Sequence, residues 1–357
     1  MTPACGRGNN GLRTALGAGE ISLAARMKDI ARDLGVSLMT VSKALRNHSD
    51  ISEATRRRVL KRVRELNYQP NWIARSLALR RTYMVGLVIP DLMHSFFAEV
   101  AKGVARACEP AGYQVVISNS EEDPATEERQ IGALLARGVD GLIVASAQRS
   151  GRAELFGRLR ARKVPYVLID RLPAGVRAHY VGGRDEQIGE LATEHLIEQG
   201  CRRIGHLRGP AIPTGTGRLR GYRRALARHG LEARPDYVVC AQHSDDTGYD
   251  VMRRLLRLQP RPDGVFCYND PVAAGAIRAV LEAGLNVPHD VAIIGSGNVH
   301  YSDLLRVPLS TIDQSSALIG QTAAELLLRC TEAKTPLAPQ RIFLPPRLIV
   351  RESSRRR

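Results

Sequence analysis

From residue 83 onward, short apolar runs alternate with amphipathic stretches, and that alternation confines the chain to very few folds. The runs are MVGLVIP (84–90), YQVVISNS (113–120), DGLIVAS (140–146), PYVLID (165–170), HYVGG (179–183), RRIGHLRG (202–209), DYVVCA (236–241), DGVFCYN (263–269) and VAIIGSG (291–297). Between them, residues 121–138 and 185–200 carry apolar side chains at helical spacing. Strands alternating with helices build parallel sheets covered on both faces. A stretch of about 275 residues exceeds one comfortable core, so two α/β lobes are expected. Ligands of such sheets sit beyond the carboxyl ends of the strands, and a cleft between two lobes gathers those ends.

The front of the chain follows a different rule. In residues 28–45, KDIARDLGVSLMTVSKAL, the side chains of Ile30, Ala31, Leu34, Val36, Val41 and Leu45 fall at helical spacing on either side of Gly35. Gly35 can take the positive φ of a sharp helix exit, and Ser37 can cap the next helix at once, which gives a helix-turn-helix. Leu38, Met39, Ser42, Lys43 and Arg46 lie on the exposed side of the second helix, a mixture of apolar and donor groups suited to base edges in a major groove. Met39 has an alternative place in the helical core. Ser52 caps a third helix carrying Val59, Leu60, Val63 and Leu66 on one side, with Arg56, Arg57, Arg58, Lys61, Arg62 and Arg64 mostly outward, toward phosphates or solvent. Pro70 ends it, and Asn71 caps the short segment WIARSLALRR, which is too short to be stable alone.

Charge supports a nucleic-acid partner for this end. The net charge is +16, and residues 1–82 hold sixteen Lys and Arg against six Asp and Glu, a net +10 that leaves +6 for everything after. An excess concentrated around a helix-turn-helix is the footprint of phosphate binding.

The stretches IARDLGVSLMTVSKALRN, ISEATRRRV and YQPNWIARSL together resemble the amino-terminal region of the LacI/GalR family of bacterial transcription regulators. The resemblance implies that Leu38 and Met39 set operator preference, with Ser37, Thr40 and Ser42 on nearby phosphates or bases. It also implies a hinge helix in which Asn71, Ala74 and Arg75 join the DNA contacts. Ala74 lets two hinge helices of a dimer approach, and Leu77 wedges into the minor groove at the centre of a palindromic site. The commoner family pairs at 38 and 39 include a hydrogen-bonding residue, so direct readout in this chain leans on Ser42, Lys43, Arg46 and DNA bending.

The resemblance continues through PDLMHSFFAEVAKGV, SNSEEDP, LIDR, LATEHLIEQGCRRIGHLRG, RLRGYRRAL, FCYNDPVAAGAI, NVPHDVAIIG and PLSTIDQ. It implies an α/β core of the type I periplasmic-binding-protein-like kind that dimerises and binds a small-molecule effector, with a sugar or sugar derivative as the candidate. Three crossings between lobes are implied near 183, 315 and 340. The expected organisation is a disordered extension (1–26), a helix-turn-helix DNA-binding domain (27–70), a hinge helix and linker (71–82), a core (83–353) and a basic tail (354–357). Lobe 1 takes about 83–183 and 315–340, lobe 2 about 184–314 and 341–353. By resemblance the effector cleft comprises Asp91, Phe96, Phe97, Asn119, Arg171, Arg218, Asn269, Gly297 and Gln314. Several have plainer alternatives: Phe96 and Phe97 as core residues, Asp91 and Asp170 as caps, Asn269 as an N-cap. Gly297 stands where sugar-binding members usually carry an aspartate, and His94 and Ser95 replace the usual Asn-Pro; Asn298 is a candidate to supply the missing acceptor.

Other classes fit less well. Six cysteines, at 5, 108, 201, 240, 267 and 330, show no metal spacing and read as small buried hydrophobes in a reducing compartment, so no metal and no cofactor are expected. No apolar run reaches membrane-spanning length and residues 1–25 lack a signal-like core, which points to the cytoplasm. Met27, directly before the first helix, is an alternative start. A solute-binding protein with the same core would leave residues 28–79 without a use. An enzyme is disfavoured, since GSGN at 295–298 is a poor dinucleotide fingerprint and no catalytic set stands at a strand end. The reading is a repressor that binds double-stranded operator DNA as a homodimer, with a tetramer as the alternative.

Overall fold

A computed structural model describes residues 25–45, 47–68, 76, 81–148 and 154–356, in two compact units divided after Leu79. Residues 1–24 of the expected extension, Arg46, and the expected hinge residues Asn71, Ala74, Arg75 and Leu77 lie outside the described residues.

In the first unit, α1 (Met27–Leu34), α2 (Leu38–Leu45) and α3 (Glu53–Glu65) pack around Ile30, Ala31, Val41, Ala44, Val59 and Tyr68. Gly35 leaves α1 at φ +64°, and its successor Val36 closes the turn by donating to the Ala31 carbonyl. Ser37 Oγ accepts from the Thr40 amide at 3.0 Å, and Ser52 Oγ from that of Thr55 at 3.3 Å, so α2 and α3 begin where hydroxyl caps stand.

The second unit holds two six-stranded sheets. The strands of the first are β1 (Met84–Ile89), β2 (Gln114–Asn119), β3 (Gly141–Val144), β4 (Tyr166–Ile169), β5 (His179–Gly183) and β11 (Arg341–Leu344), in spatial order β11-β5-β4-β3-β1-β2 and all parallel. Those of the second are β6 (Ile204–Arg208), β7 (Val238–Cys240), β8 (Gly264–Cys267), β9 (Ala292–Gly297), β10 (Ser310–Asp313) and β12 (Arg347–Ile349), in order β12-β10-β9-β8-β6-β7, with only β12 antiparallel. Helices α4 (Ser95–Cys108), α5 (Pro124–Ala136), α6 (Glu154–Ala161) and α11 (Ser316–Glu332) cover the first sheet. Helices α7 (Asp185–Glu198), α8 (Pro213–Arg228), α9 (Asp245–Leu255) and α10 (Asp270–Glu282) cover the second.

All nine expected runs form strands, and β10, β11 and β12 add to them. These three were not read as strands: each opens on a polar or charged side chain and carries at most three apolar ones in a row. They also move one crossing. β11 pairs with β5, so residues 341–344 belong to the first lobe rather than the second, and the chain crosses at Pro345-Pro346 instead of near 340. The other crossings follow β5 and β10.

One helix pair sets the geometry of the cleft. A Cβ on Gly189 of α7 would stand 2.1 Å from the Arg218 carbonyl of α8, and one on Gly221 would stand 2.0 Å from the Glu186 carbonyl. The two glycines let the helix backbones touch, and this contact fixes Arg218 beside Asp185 at the lobe junction.

Candidate functional site

On α2, Val41 and Ala44 face the three-helix core while Leu38 and Met39 stand 53% and 61% exposed. Met39 is therefore a surface residue, not a core one. Ser37 is exposed and Thr40 and Ser42 are half-buried, but Lys43 is turned back to donate to Asp50, which also holds His48 Nδ1 at 2.8 Å. Three of the α3 arginines are similarly engaged within the unit. Arg62 grips Asp33, Arg58 donates to the Leu34 carbonyl at 3.1 Å and Arg56 to the His48 carbonyl at 2.9 Å. These contacts brace α3 against the turns that present α2.

In the core, β-strand ends from both lobes converge on a small cavity of about 30 Å³, room for a water or two in this closed arrangement. Six expected residues line it: Phe96, Phe97, Arg171, Arg218, Asn269 and Gln314. His94, Asp170, His243, Tyr268 and Ser296 join them. Asp91, Asn119 and Gly297 do not line it. The Asp91 carboxylate accepts locally from the Met93 amide at 2.8 Å, and Asn119 ends β2 half-buried with its Oδ1 shielded from solvent. Gly297 has φ +143° and its nearest side chains are those of Asp270 and Val299. Alternation along β9 explains the switch, because Ser296 is the neighbour that faces Gln314, whose Nε2 it receives at 3.1 Å. Asn298 does not replace the missing acid, since its Oδ1 accepts from Arg351 at 2.8 Å.

Two buried guanidinium groups dominate the electrostatics. Arg171, 2% exposed at the end of β4, binds Glu122 through both terminal nitrogens at 2.5 and 2.7 Å, with Asp170 at 3.4 Å from its Nε. Burial alone would favour neutral Arg171, but the bidentate Glu122 carboxylate more than offsets this and holds it charged. Burial likewise pushes the Glu122 carboxyl up, and Arg171 pulls it below its ordinary value. Arg218 is committed at all three nitrogens: Nε to Asp185 at 3.1 Å, Nη1 to the Tyr268 carbonyl at 2.6 Å, Nη2 to Gln314 Oε1 at 2.9 Å. It also lies 4.8 Å over the Tyr268 ring.

Two contacts join the lobes across this cavity. His94, the N-cap of α4 through its Nδ1, places its Nε2 3.1 Å from the Nδ2 of Asn269, the N-cap residue of α10, and Glu122 Oε1 lies 3.5 Å from His243 Nε2. Asn269 keeps its cap as well, accepting from the Val272 amide through Oδ1 at 2.9 Å. Both neighbours of the His94 ring, the Phe96 amide and Asn269 Nδ2, are donors, so an imidazolium has no acceptor at either nitrogen. Burial, with His243 close by, depresses His94 to about 4.

Glu122 and His243 escaped the sequence reading. Their partners are remote in the chain, although the carboxyl-end rule applied to β2 and β7 points to their loops. Tyr268 and Ser296 sat inside quoted motifs, and strand alternation was the available signal. Among the described residues there is no cluster of three metal-ligating side chains and no helix long and apolar enough to cross a membrane.

A helix-turn-helix with an exposed second helix, carried by the same chain as a two-lobed core with a polar interlobe cavity, defines the transcription regulators built on a periplasmic-binding-protein-like core. Residues 26–71 match the bacterial regulatory proteins of the lacI family, and residues 193–354 match a periplasmic binding protein-like domain. The chain is 35% identical over 332 residues to the ribose operon repressor of Escherichia coli (strain K12), covering 92% of this chain and 100% of the relative. It is 34% identical over 334 residues to the HTH-type transcriptional repressor PurR of Actinobacillus pleuropneumoniae serotype 3 (strain JL03), covering 93% and 98%. A Lac repressor dimer bound to operator and the anti-inducer ONPF has the same fold, with a TM-score of 0.82 at 26% identity over 92% of this chain and 99% of that one. A transcriptional regulator CelR–cellobiose complex gives a TM-score of 0.70 at 32% identity over the same shares. The chain belongs to the LacI family of bacterial regulatory proteins and is a DNA-binding transcriptional regulator.

Proposed function

We propose that the chain represses transcription in the cytoplasm as a homodimer on a palindromic operator, and that a small polar effector bound between the lobes sets its affinity. The observation that carries this is the pair of cross-lobe contacts, His94 with Asn269 and Glu122 with His243, built around buried Arg171 and Arg218. An effector entering there must exchange partners with groups that are already satisfied. Its hydroxyls or carboxylate displace Glu122 from Arg171 or Gln314 from Arg218, and in doing so alter the lobe contacts. By linkage, a ligand that favours one lobe arrangement changes the fraction of dimers able to dock both half-sites.

In this reading residues 27–70 bind DNA, 71–82 form the hinge, and 83–353 form the dimerising core. Leu38 and Met39 meet thymine methyls or other apolar base edges, with Ser37, Thr40, Ser42 and Arg46 beside them and Leu77 wedged between base steps. A carbohydrate-derived effector is supported by relatives whose names carry ribose and cellobiose. The test has two arms. Footprinting the full chain on DNA upstream of its own gene should give salt-sensitive protection of a palindrome, and no protection under any condition would overturn the regulator reading. A thermal-shift screen of sugars, sugar acids and sugar phosphates should yield a ligand that raises the core's Tm and changes that protection.

A further inference from the structure

At the opposite end of the first sheet from the interlobe cavity, the structure carries a second concavity. The β4 chain runs from Pro165 and Tyr166 on its floor to Asp170 and Arg171 at the cavity, four strand residues or ~13 Å away. Its volume is about 530 Å³, within the range of drug-sized ligand sites. The floor is apolar, with Tyr166 and Ala178 buried beneath Val164, Pro165 and Leu337. Its rim is basic. Arg160, Lys163, Arg177 and Lys334 all line it, none of their four side chains makes an ion pair or hydrogen bond among the described residues, and no carboxylate is in the lining.

Another cationic cluster of this core is built differently. On the second lobe, Arg220, Arg224 and Arg228 interlock with Glu186, Glu190 and Glu194. Four unpaired cations around an apolar trough leave an excess of positive potential above a surface that water solvates poorly, and the complement of that surface is a molecule with the reverse distribution. We infer that this groove binds a small amphipathic anion, an apolar body carrying one carboxylate, sulfonate or phosphate. DNA phosphates match the rim but offer nothing to the floor.

The position gives such a ligand a route to the rest of the molecule. The groove is walled by the carboxyl end of α11, at Cys330, Thr331 and Ala333, while the amino end of α11 starts at the crossing beside Gln314. The Thr331 carbonyl accepts from Arg81 at 2.9 Å, where the chain enters the core. One seventeen-residue helix thus links groove, cavity crossing and core entry.

The test uses the full chain and 8-anilinonaphthalene-1-sulfonate, whose fluorescence rises on transfer to an apolar site. The native protein should show one saturable site per chain, displaced by octanoate at least tenfold better than by octanol. Arg177→Glu with Lys334→Glu, both at exposed positions, should lower the affinity at least tenfold at unchanged Tm, and Leu337→Asp should lower it too. Equal dye affinity in the charge-reversed protein, no saturable site, or octanol competing as well as octanoate would overturn the inference. Loss of operator affinity in the charge-reversed protein with dye binding intact would also overturn it, and would assign the rim to DNA phosphates.

Discussion

The tip of α2 and the interlobe cavity, the two surfaces proposed for recognition, are built in opposite ways. On α2, Leu38 and Met39 stand in solvent on a frame of caps and arginine braces, ready for a partner large enough to cover them. In the cavity both guanidinium groups are buried and already paired within the chain, so a ligand has to displace internal contacts. An exposed surface gains by covering what was wet, and changing it should leave the fold intact. A pre-satisfied buried surface gains only by exchange, so changing it should disturb stability and response together.

The largest effect that would sharpen this contrast is expected from Arg218→Met. It leaves Asp185 buried without its partner and the Gln314 and Tyr268 acceptors unmet, and chemical denaturation should report a core destabilised by ~3–5 kcal/mol. A loss below about 1 kcal/mol would break the claim that the cavity is structurally committed. Acidification comes next. His94 is depressed from 6.5 to about 4, so between those values the unfolded chain binds the extra proton and stability must fall as pH falls. His94 should therefore contribute a stability loss on the order of 3 kcal/mol between pH 6.5 and pH 4, read from melts against pH, beside a same-sign loss from buried His206 and an opposing gain from Asp185, whose burial raises its carboxyl to about 6. In His94→Gln that part of the decline should vanish, whereas an unchanged pH profile would show that His94 is not its source.

Glu122→Gln should be milder. It keeps the shape but removes the charge that holds Arg171, costing about 1–2 kcal/mol by thermal melts. It should also raise the core's affinity for anionic ligands relative to neutral ones in calorimetric titration. The smallest stability effect is expected on α2, where Leu38→Ala and Met39→Ala should stay within ~0.5 kcal/mol of wild type while operator selection in a randomised-site binding assay shifts. A large loss of head stability from either change would erase the contrast between the two surfaces.

Much of this architecture was open to reading along the chain. Gly35 and Ser37 specify a helix exit and the next helix start through φ and a hydroxyl, both local matters, and both appear where expected. The nine apolar runs became strands for the same reason, since period and composition act over a few residues. The expected cleft was drawn less faithfully. Asp91 and Asn119 lie near the right strand ends but turn elsewhere, and Gly297 points away where Ser296 points in, because a side chain's direction depends on the pleat and on its neighbours. The Pro345-Pro346 crossing depended on which sheet edge was free to accept β11.

By itself, the sequence determined the periodicities, caps and charge distribution that make a basic helix-turn-helix head followed by two parallel α/β lobes, because these are short-range preferences written in neighbouring residues. Tertiary structure alone decided which charges meet. Glu122 reached Arg171 and His243, Asp185 reached Arg218, and Arg160, Lys163, Arg177 and Lys334 were left around an apolar floor without an acid. Ion pairing and burial depend on distances between residues far apart in the chain, and only the folded backbone sets those.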